Sequence, residues 1–380
     1  MGQQLHLRFA VRAAATCALF TSTGHLHAQG GIFDPNIPHA LPVGQVAQTY
    51  RQQQPRYQQA QHRAPQQYRQ QRQPQQQAAQ PGYNNNQVQF LRASYQQPVQ
   101  PSPAAAIPAN SNVWNRVFRT FNLPDYSNNY RVRKFIRSYG SNPGQINTLL
   151  TRADPFIHMI IEEVNRRGMP AEIALLPFVE SGFKLDVFSH AGAAGLWQFI
   201  PSTGKTYGLK QSHGFDARMD PFAATHAALN YLQKMNREFN GDWLKTLAAY
   251  NCGENCVHRA VYKARAAGKS PSYWNLSLPR ETMNYVPRLL AFKELLGNSR
   301  QYGIRLPATP NTSKLVQVEL NKPVNLRKVA SHAGLPPNLL VRLNPNFRKG
   351  VTKPNLSNRI TLPRKDVGRL IQVLRAMPPV

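Results

Sequence analysis

The sequence predicts a mainly α protein: a helical domain in the middle, a small β-α-α-β module at the end, and a disordered N-terminal linker before both. Three observations carry that reading. Apolar residues recur at helical spacing from about Val113 to Leu296. The stretch 315–320 (LVQVEL) alternates like a strand instead. Between Asp34 and Asp125 there is no acidic residue, and residues 50–80 are mostly Gln, Pro, Arg and Tyr.

The elements follow in order. Arg8 and Arg12 flank a short apolar run at 13–20, and Leu26-His27-Ala28 closes it with a small-residue pattern. So short a run cannot span a bilayer. It reads as a secretory signal peptide over residues 1–28. The Ala15-Thr16 pair before Cys17 lacks the small residue a lipid-attachment site needs. Residues 29–110 carry too little apolar surface to offset their ordering entropy and are expected to be a solvated linker.

The helical domain is expected over 111–310. Trp114, Val117, Phe118 and Phe121 form its first amphipathic stretch. Asp154-Pro155 reads as an N-cap followed by proline at the first helical position. The helix it opens has Phe156, Ile157, Ile160, Ile161 and Val164 on one face, and Gly168 stops it. Met169-Pro170 opens another helix, through Ile173, Leu176 and Phe178 to about Glu180. Further helices are expected at 220–239, 242–250, 254–267 and 281–296. The last module, 311–380, pairs a strand at 315–320 with a closing strand at 359–362. Short helices at 326–332 and 338–343 lie between them.

Lys and Arg total 46 against 17 Asp and Glu, a formal charge of +29. A field of that size favours an anionic partner. An exported chain rarely meets nucleic acid, and no recognition-helix or base-stacking signature is present. The charge is therefore expected to hold the chain weakly near an anionic envelope surface.

Glu180 follows Leu175 to Val179 and precedes Phe183. A carboxyl at the end of so apolar a helix, if it lines a cleft, is kept protonated by desolvation and can serve as a general acid. One glutamate before Ser-Gly proves little alone. Three more blocks follow it: SHAGAAGLWQFIPSTG at 189–204, AYNCGE at 249–254 and ETMNYVP at 281–287. The four in this order resemble the lytic transglycosylases of the soluble lytic transglycosylase (SLT) type, over about residues 113–365.

The resemblance implies a lysozyme-like all-α catalytic domain followed by a LysM-like module. It implies Glu180 as the single catalytic acid/base. Ser189 matches the serine that contacts the reacting sugar, and Gln198 lines the groove. Tyr250 and Asn251 match the pair that holds the sugar and the catalytic carboxylate. Glu281 and Tyr285 match the block that closes the groove. The implied substrate is the glycan strand of peptidoglycan, cut at the MurNAc–GlcNAc bond to leave 1,6-anhydroMurNAc ends. No cofactor and no metal are expected, the chain is expected to be monomeric, and the expected compartment is the periplasm, with the outer membrane open as a final location.

Other readings stand beside these. A lysozyme-like hydrolase would use Asp186 or Asp216 to activate water, and a non-catalytic scaffold would bind glycan only. Trp197 reads as core packing more than sugar stacking. Gly192 and Gly195 allow close backbone approach, to a ligand or to packing. Cys252 and Cys256 stand four apart and leave three states open: a local disulfide, a metal site with His258, or two buried thiols. Asn255 replaces a glycine of the family pattern and would tolerate positive φ. The end module either binds N-acetylglucosamine-containing glycan or packs on the catalytic unit.

Overall fold

The computed structural model describes residues 111–320, 322–378 and 380. The signal-peptide and linker expectations (1–28 and 29–110) lie outside the described residues. Among the described residues, no helix is long and apolar enough to cross a membrane.

The helical domain opens with α1 (Val113–Arg119), capped by the Asn112 side chain. Two helices absent from the sequence reading come next, α2 (Tyr130–Gly140) and α3 (Pro143–Ala153). Asp154 is the C-cap of α3 and not the N-cap of the next helix. Its carboxylate instead takes the Thr309 hydroxyl and the Lys314 ammonium, the latter at 2.5 Å. α4 (Ile157–Arg166) then buries Ile157, Ile160, Ile161 and Val164. Gly168, at φ +64°, ends that segment. The stretch expected as one helix to Glu180 is a 3-10 segment, Ala171–Leu175, leading into α5 (Leu176–Glu180). Glu172 within it is buried and accepts from the backbone N–H groups of Asn122 and Leu123. Lys293 pairs with it at 3.0 Å.

α6 (Pro201–Thr206) leads to a small hairpin, β1 (Gln211–Ser212) and β2 (Phe215–Asp216). α7 (Pro221–Glu238) starts at Asp220, whose side chain accepts from the N–H groups of Phe222 and Ala223. α8 (Trp243–Cys252), α9 (Glu254–Ala266) and α10 (Arg280–Gly297) complete the domain. α10 is the central helix and packs on α2, α5 and α8. Val286, Leu289, Ala291 and Leu295 along it are fully buried.

The end module pairs β3 (Leu315–Glu319) antiparallel with β4 (Arg359–Pro363), Gln317 opposite Thr361. α11 (Leu326–His332) and α12 (Leu339–Leu343) lie between the strands. A further helix, α13 (Val367–Ala376), buries Leu370 and Leu374 and extends the β-α-α-β plan.

Candidate active site

Helix α5 stops at Glu180 because the chain turns sharply after it. Gly182 and Phe183 both take left-handed backbone, at φ +58° and +59°. That conformation is costly for phenylalanine. Phe183 is held there by burial, edge-on to Phe178 at 4.7 Å. Ser181 ties the turn forward, its hydroxyl donating to the Leu196 carbonyl at 2.9 Å.

The Glu180 side chain is 2% exposed. Burial pushes its carboxyl up to about 8, opposed by a hydrogen bond from Tyr285 and assisted by the nearby charge of Glu281. The Tyr285 hydroxyl donates to Oε1 at 2.5 Å. At neutral pH the carboxyl is therefore mainly protonated, the state a general acid needs.

Residues 187–199 form the facing loop. The Ser189 N–H donates to the Ala193 carbonyl at 2.8 Å, and the Ser189 hydroxyl accepts from the Ala193 N–H at 3.0 Å. Gln198 sits at φ +49° and donates through Nε2 to the Gly195 carbonyl at 2.8 Å. Gly195 has φ +79°, and a Cβ there would lie 2.0 Å from the Arg218 carbonyl oxygen. Its glycine is thus required by packing. Trp197 is fully buried and donates to the Thr225 hydroxyl, so it is core.

Behind the loop stands a buried ion pair that the sequence reading missed. Arg218 holds the Asp216 carboxylate through two hydrogen bonds, at 3.0 and 2.7 Å. Its remaining nitrogen, Nη1, donates to the carbonyls of Gly192 and Phe199 at 2.6 and 2.9 Å. The only sequence signal is an Asp-x-Arg set between Phe215 and Met219. Asp216 is thereby committed to structure, and Asp186 is solvent-exposed.

Tyr250 and Asn251 end α8. Tyr250 donates to the Trp197 carbonyl at 2.8 Å, and Asn251 accepts from the Thr282 hydroxyl at 2.7 Å. The hydrogen bond to the Glu180 carboxyl thus comes from Tyr285, and not from the Tyr250–Asn251 pair. Glu281 is half-buried at the start of α10. Two buried polar atoms here lack a protein partner, Oε1 of Gln198 and Nδ2 of Asn251. A pocket of about 150 Å³ lies on the Gln198 side, lined by Gln198, Phe199, Tyr231, Tyr250 and Glu254 among others; Asn251 and Glu180 do not line it.

Cys252 and Cys256 are joined in a disulfide across the α8–α9 turn. Gly253, at φ +84°, makes that turn. Asn255 lies inside the first turn of α9, so its tolerance of positive φ is not used. His258 contacts Glu238 at 2.7 Å instead of the sulfurs.

The profile described as the transglycosylase SLT domain matches residues 158–272. A second, described as the lytic transglycosylase MltD LysM-like domain, matches residues 314–378. The chain carries an SLT domain followed by an MltD-type LysM-like domain. The SLT match includes Glu180, Ser189, Gln198, Tyr250 and Asn251, whereas Glu281 and Tyr285 lie beyond it. Membrane-bound lytic murein transglycosylase D of Escherichia coli is 42% identical over 246 residues, 65% of this chain and 54% of the relative. The chain thus spans about half the length of that relative. Peptidoglycan transglycosylase gp16 of Escherichia phage T7 is 33% identical over 114 residues, 30% of this chain and 8% of the relative. A solved lytic transglycosylase Slt from Pseudomonas aeruginosa, 22% identical, overlays with a TM-score of 0.31 over 40% of this chain and 25% of its own.

Proposed function

We propose that the protein is a peptidoglycan lytic transglycosylase with Glu180 as its single acid/base. The observation that carries the reading is the buried Glu180 with Tyr285 on its Oε1, where burial pushes the carboxyl up to about 8. It is supported by the SLT match and by relatives named as transglycosylases.

The chemistry balances on one carboxyl. Glu180 gives its proton to the glycosidic oxygen as the bond from the MurNAc anomeric carbon breaks, and GlcNAc leaves with a free hydroxyl. The substrate's own acetamido group stabilises the cationic centre. The Glu180 carboxylate then takes the proton of the C6 hydroxyl as that oxygen bonds the anomeric carbon. The acid is restored and no water is consumed. A hydrolase of the usual kind needs a second placed carboxylate. Asp216 is taken by Arg218 and Asp186 is exposed, and in this reading Glu281, the carboxylate near Glu180, holds the sugar.

Ser189, Gln198, Tyr250, Asn251 and Glu281 would hold the sugar, with the free atoms of Gln198 and Asn251 finding partners on its hydroxyl and acetamido groups. An unpartnered buried polar atom costs about 1–3 kcal/mol, which a fitting ligand relieves. Export to the periplasm and retention at the outer membrane belong to this proposal.

The test is mass spectrometry of the soluble products from peptidoglycan sacculi. Anhydromuropeptides with the wild type and none with Glu180→Gln are expected. Reducing-end products would make the protein a muramidase, and bound sacculi without products would make it a scaffold.

A further inference from the structure

The LysM-like module does more than follow the catalytic domain; it is built into it. The turn of the β1–β2 hairpin, with Gly214 at φ +75°, sits against residues 346–353. The Asp216 N–H donates to the Asn346 carbonyl at 2.9 Å, and the Arg348 N–H to the Gly214 carbonyl at 3.1 Å. Lys353 donates to the His213 carbonyl at 2.8 Å. Phe215 and Phe347 pack ring to ring at 5.4 Å, both buried.

These contacts deliver one side chain to the active-site loop. Phe188, the neighbour of Ser189, is 43% exposed, unusual for a phenylalanine here. The Arg348 guanidinium lies 5.0 Å from its ring centroid. The Arg218 guanidinium lies 6.0 Å from the same ring. Arg218 also fixes the loop backbone at Gly192 and Phe199. One cation therefore reaches Phe188 from the catalytic domain and a second from the end module.

We propose that Arg348 of the end module is a positioning residue for the active-site loop, holding Phe188 and through it Ser189. The proposal rests on the transglycosylase reading for its kinetic consequence, though not for the contact itself. An exposed cation–π contact of this kind corresponds to about a two- to five-fold effect. The Arg348 side chain is exposed, and the bond from its N–H to the Gly214 carbonyl is made by backbone, so replacing the side chain leaves that bond in place.

The experiment uses the full chain, with Arg348→Ala, Arg348→Lys, Phe188→Leu and the Arg348→Ala/Phe188→Leu pair. Turnover is followed on soluble uncrosslinked glycan strands, and hydrogen exchange is followed at the amides of residues 187–195. Arg348→Ala is expected to speed exchange in that loop and to lower kcat/KM by about two- to five-fold. Arg348→Lys should restore part of both, and the pair should be no worse than Phe188→Leu alone. Unchanged exchange in Arg348→Ala overturns the proposal, whatever happens to turnover. Additive losses in the pair overturn it as well, because Arg348 would then act on something other than Phe188. If the wild type makes no anhydro product, the transglycosylase reading fails, and the exchange data still decide the contact.

Discussion

The cost of ionising Glu180 falls on the folded state alone, because the unfolded chain solvates the carboxylate. Its carboxyl is pushed from 4.5 up to about 8 on folding. Below pH 4.5 the residue is neutral in both states and carries no penalty. As pH rises from there through about 8, the native state retains a proton that the unfolded state has lost, and stability falls. Glu180→Gln removes that dependence. The variant should gain stability over the wild type as pH rises, by a few kcal/mol at the alkaline end. Urea midpoints at pH 4.5 and 8 check this; an unchanged difference between the two proteins would refute it. Under the proposed mechanism, turnover depends on the same group in the opposite role. Rate should fall as pH climbs through about 8, where the acid is spent. The Tyr285 hydrogen bond lowers the Glu180 pKa. Tyr285→Phe should therefore move the alkaline limb upward and reduce kcat about ten-fold, for a lost hydrogen bond of about 1.4 kcal/mol. A limb that moves down would show that the tyrosine does not hold this carboxyl. At Gly195 both space and backbone forbid a side chain. Gly195→Ala should cost about 3 kcal/mol or more, read as a lowered thermal midpoint.

Among the elements, the α8–α9 turn brings two of the proposed sugar-holding residues together with a disulfide. It sets Tyr250 and Asn251 at the end of one helix and Glu254 at the start of the next, around Gly253. The Cys252–Cys256 disulfide staples it. Closing so short a loop contributes about 2 kcal/mol. The Cys252→Ser/Cys256→Ser pair should lower the guanidinium midpoint accordingly, and reduced wild type should match it; no change in either would mean the bond does not constrain the unfolded chain. The elements also show what a sequence conveys. α4, α7 and α10 were legible from their apolar stripes, and α7 and α10 also from proline or acidic residues at their starts. α2 and α3 were not. α2 is YRVRKFIRSYG, whose buried Val132, Phe135, Ile136 and Tyr139 are outnumbered by cations and polar residues. α3 hid behind Asp154-Pro155, which has the sequence of a helix start but occupies a helix end. The proposed site was readable as four sequence blocks, which carry Glu180, Gln198, Tyr250 and Tyr285. Its bracing was not, because Arg218 and Ser181 act through backbone carbonyls that no motif records.

The molecule as a whole shares one load path between its two domains. The end module has its own sheet, yet Phe347 leans on Phe215 and the Asn346 carbonyl receives the Asp216 N–H. Asp216 in turn holds Arg218, which holds the loop of Ser189 and Gln198. At the opposite side, Lys314 at the mouth of β3 pairs with Asp154 between α3 and α4. Two domains joined only by a tether would unfold separately, each on its own core. Here the hairpin that seats the module also braces the loop of Ser189 and Gln198 through Asp216 and Arg218, so loosening one loosens the other. Calorimetry of the full chain should therefore show a single transition. Phe347→Ala, at about 3–5 kcal/mol for an emptied aromatic site, should shift that whole transition downward. Two transitions, with only the smaller one moved by Phe347→Ala, would show that the module rides on the catalytic domain without supporting it.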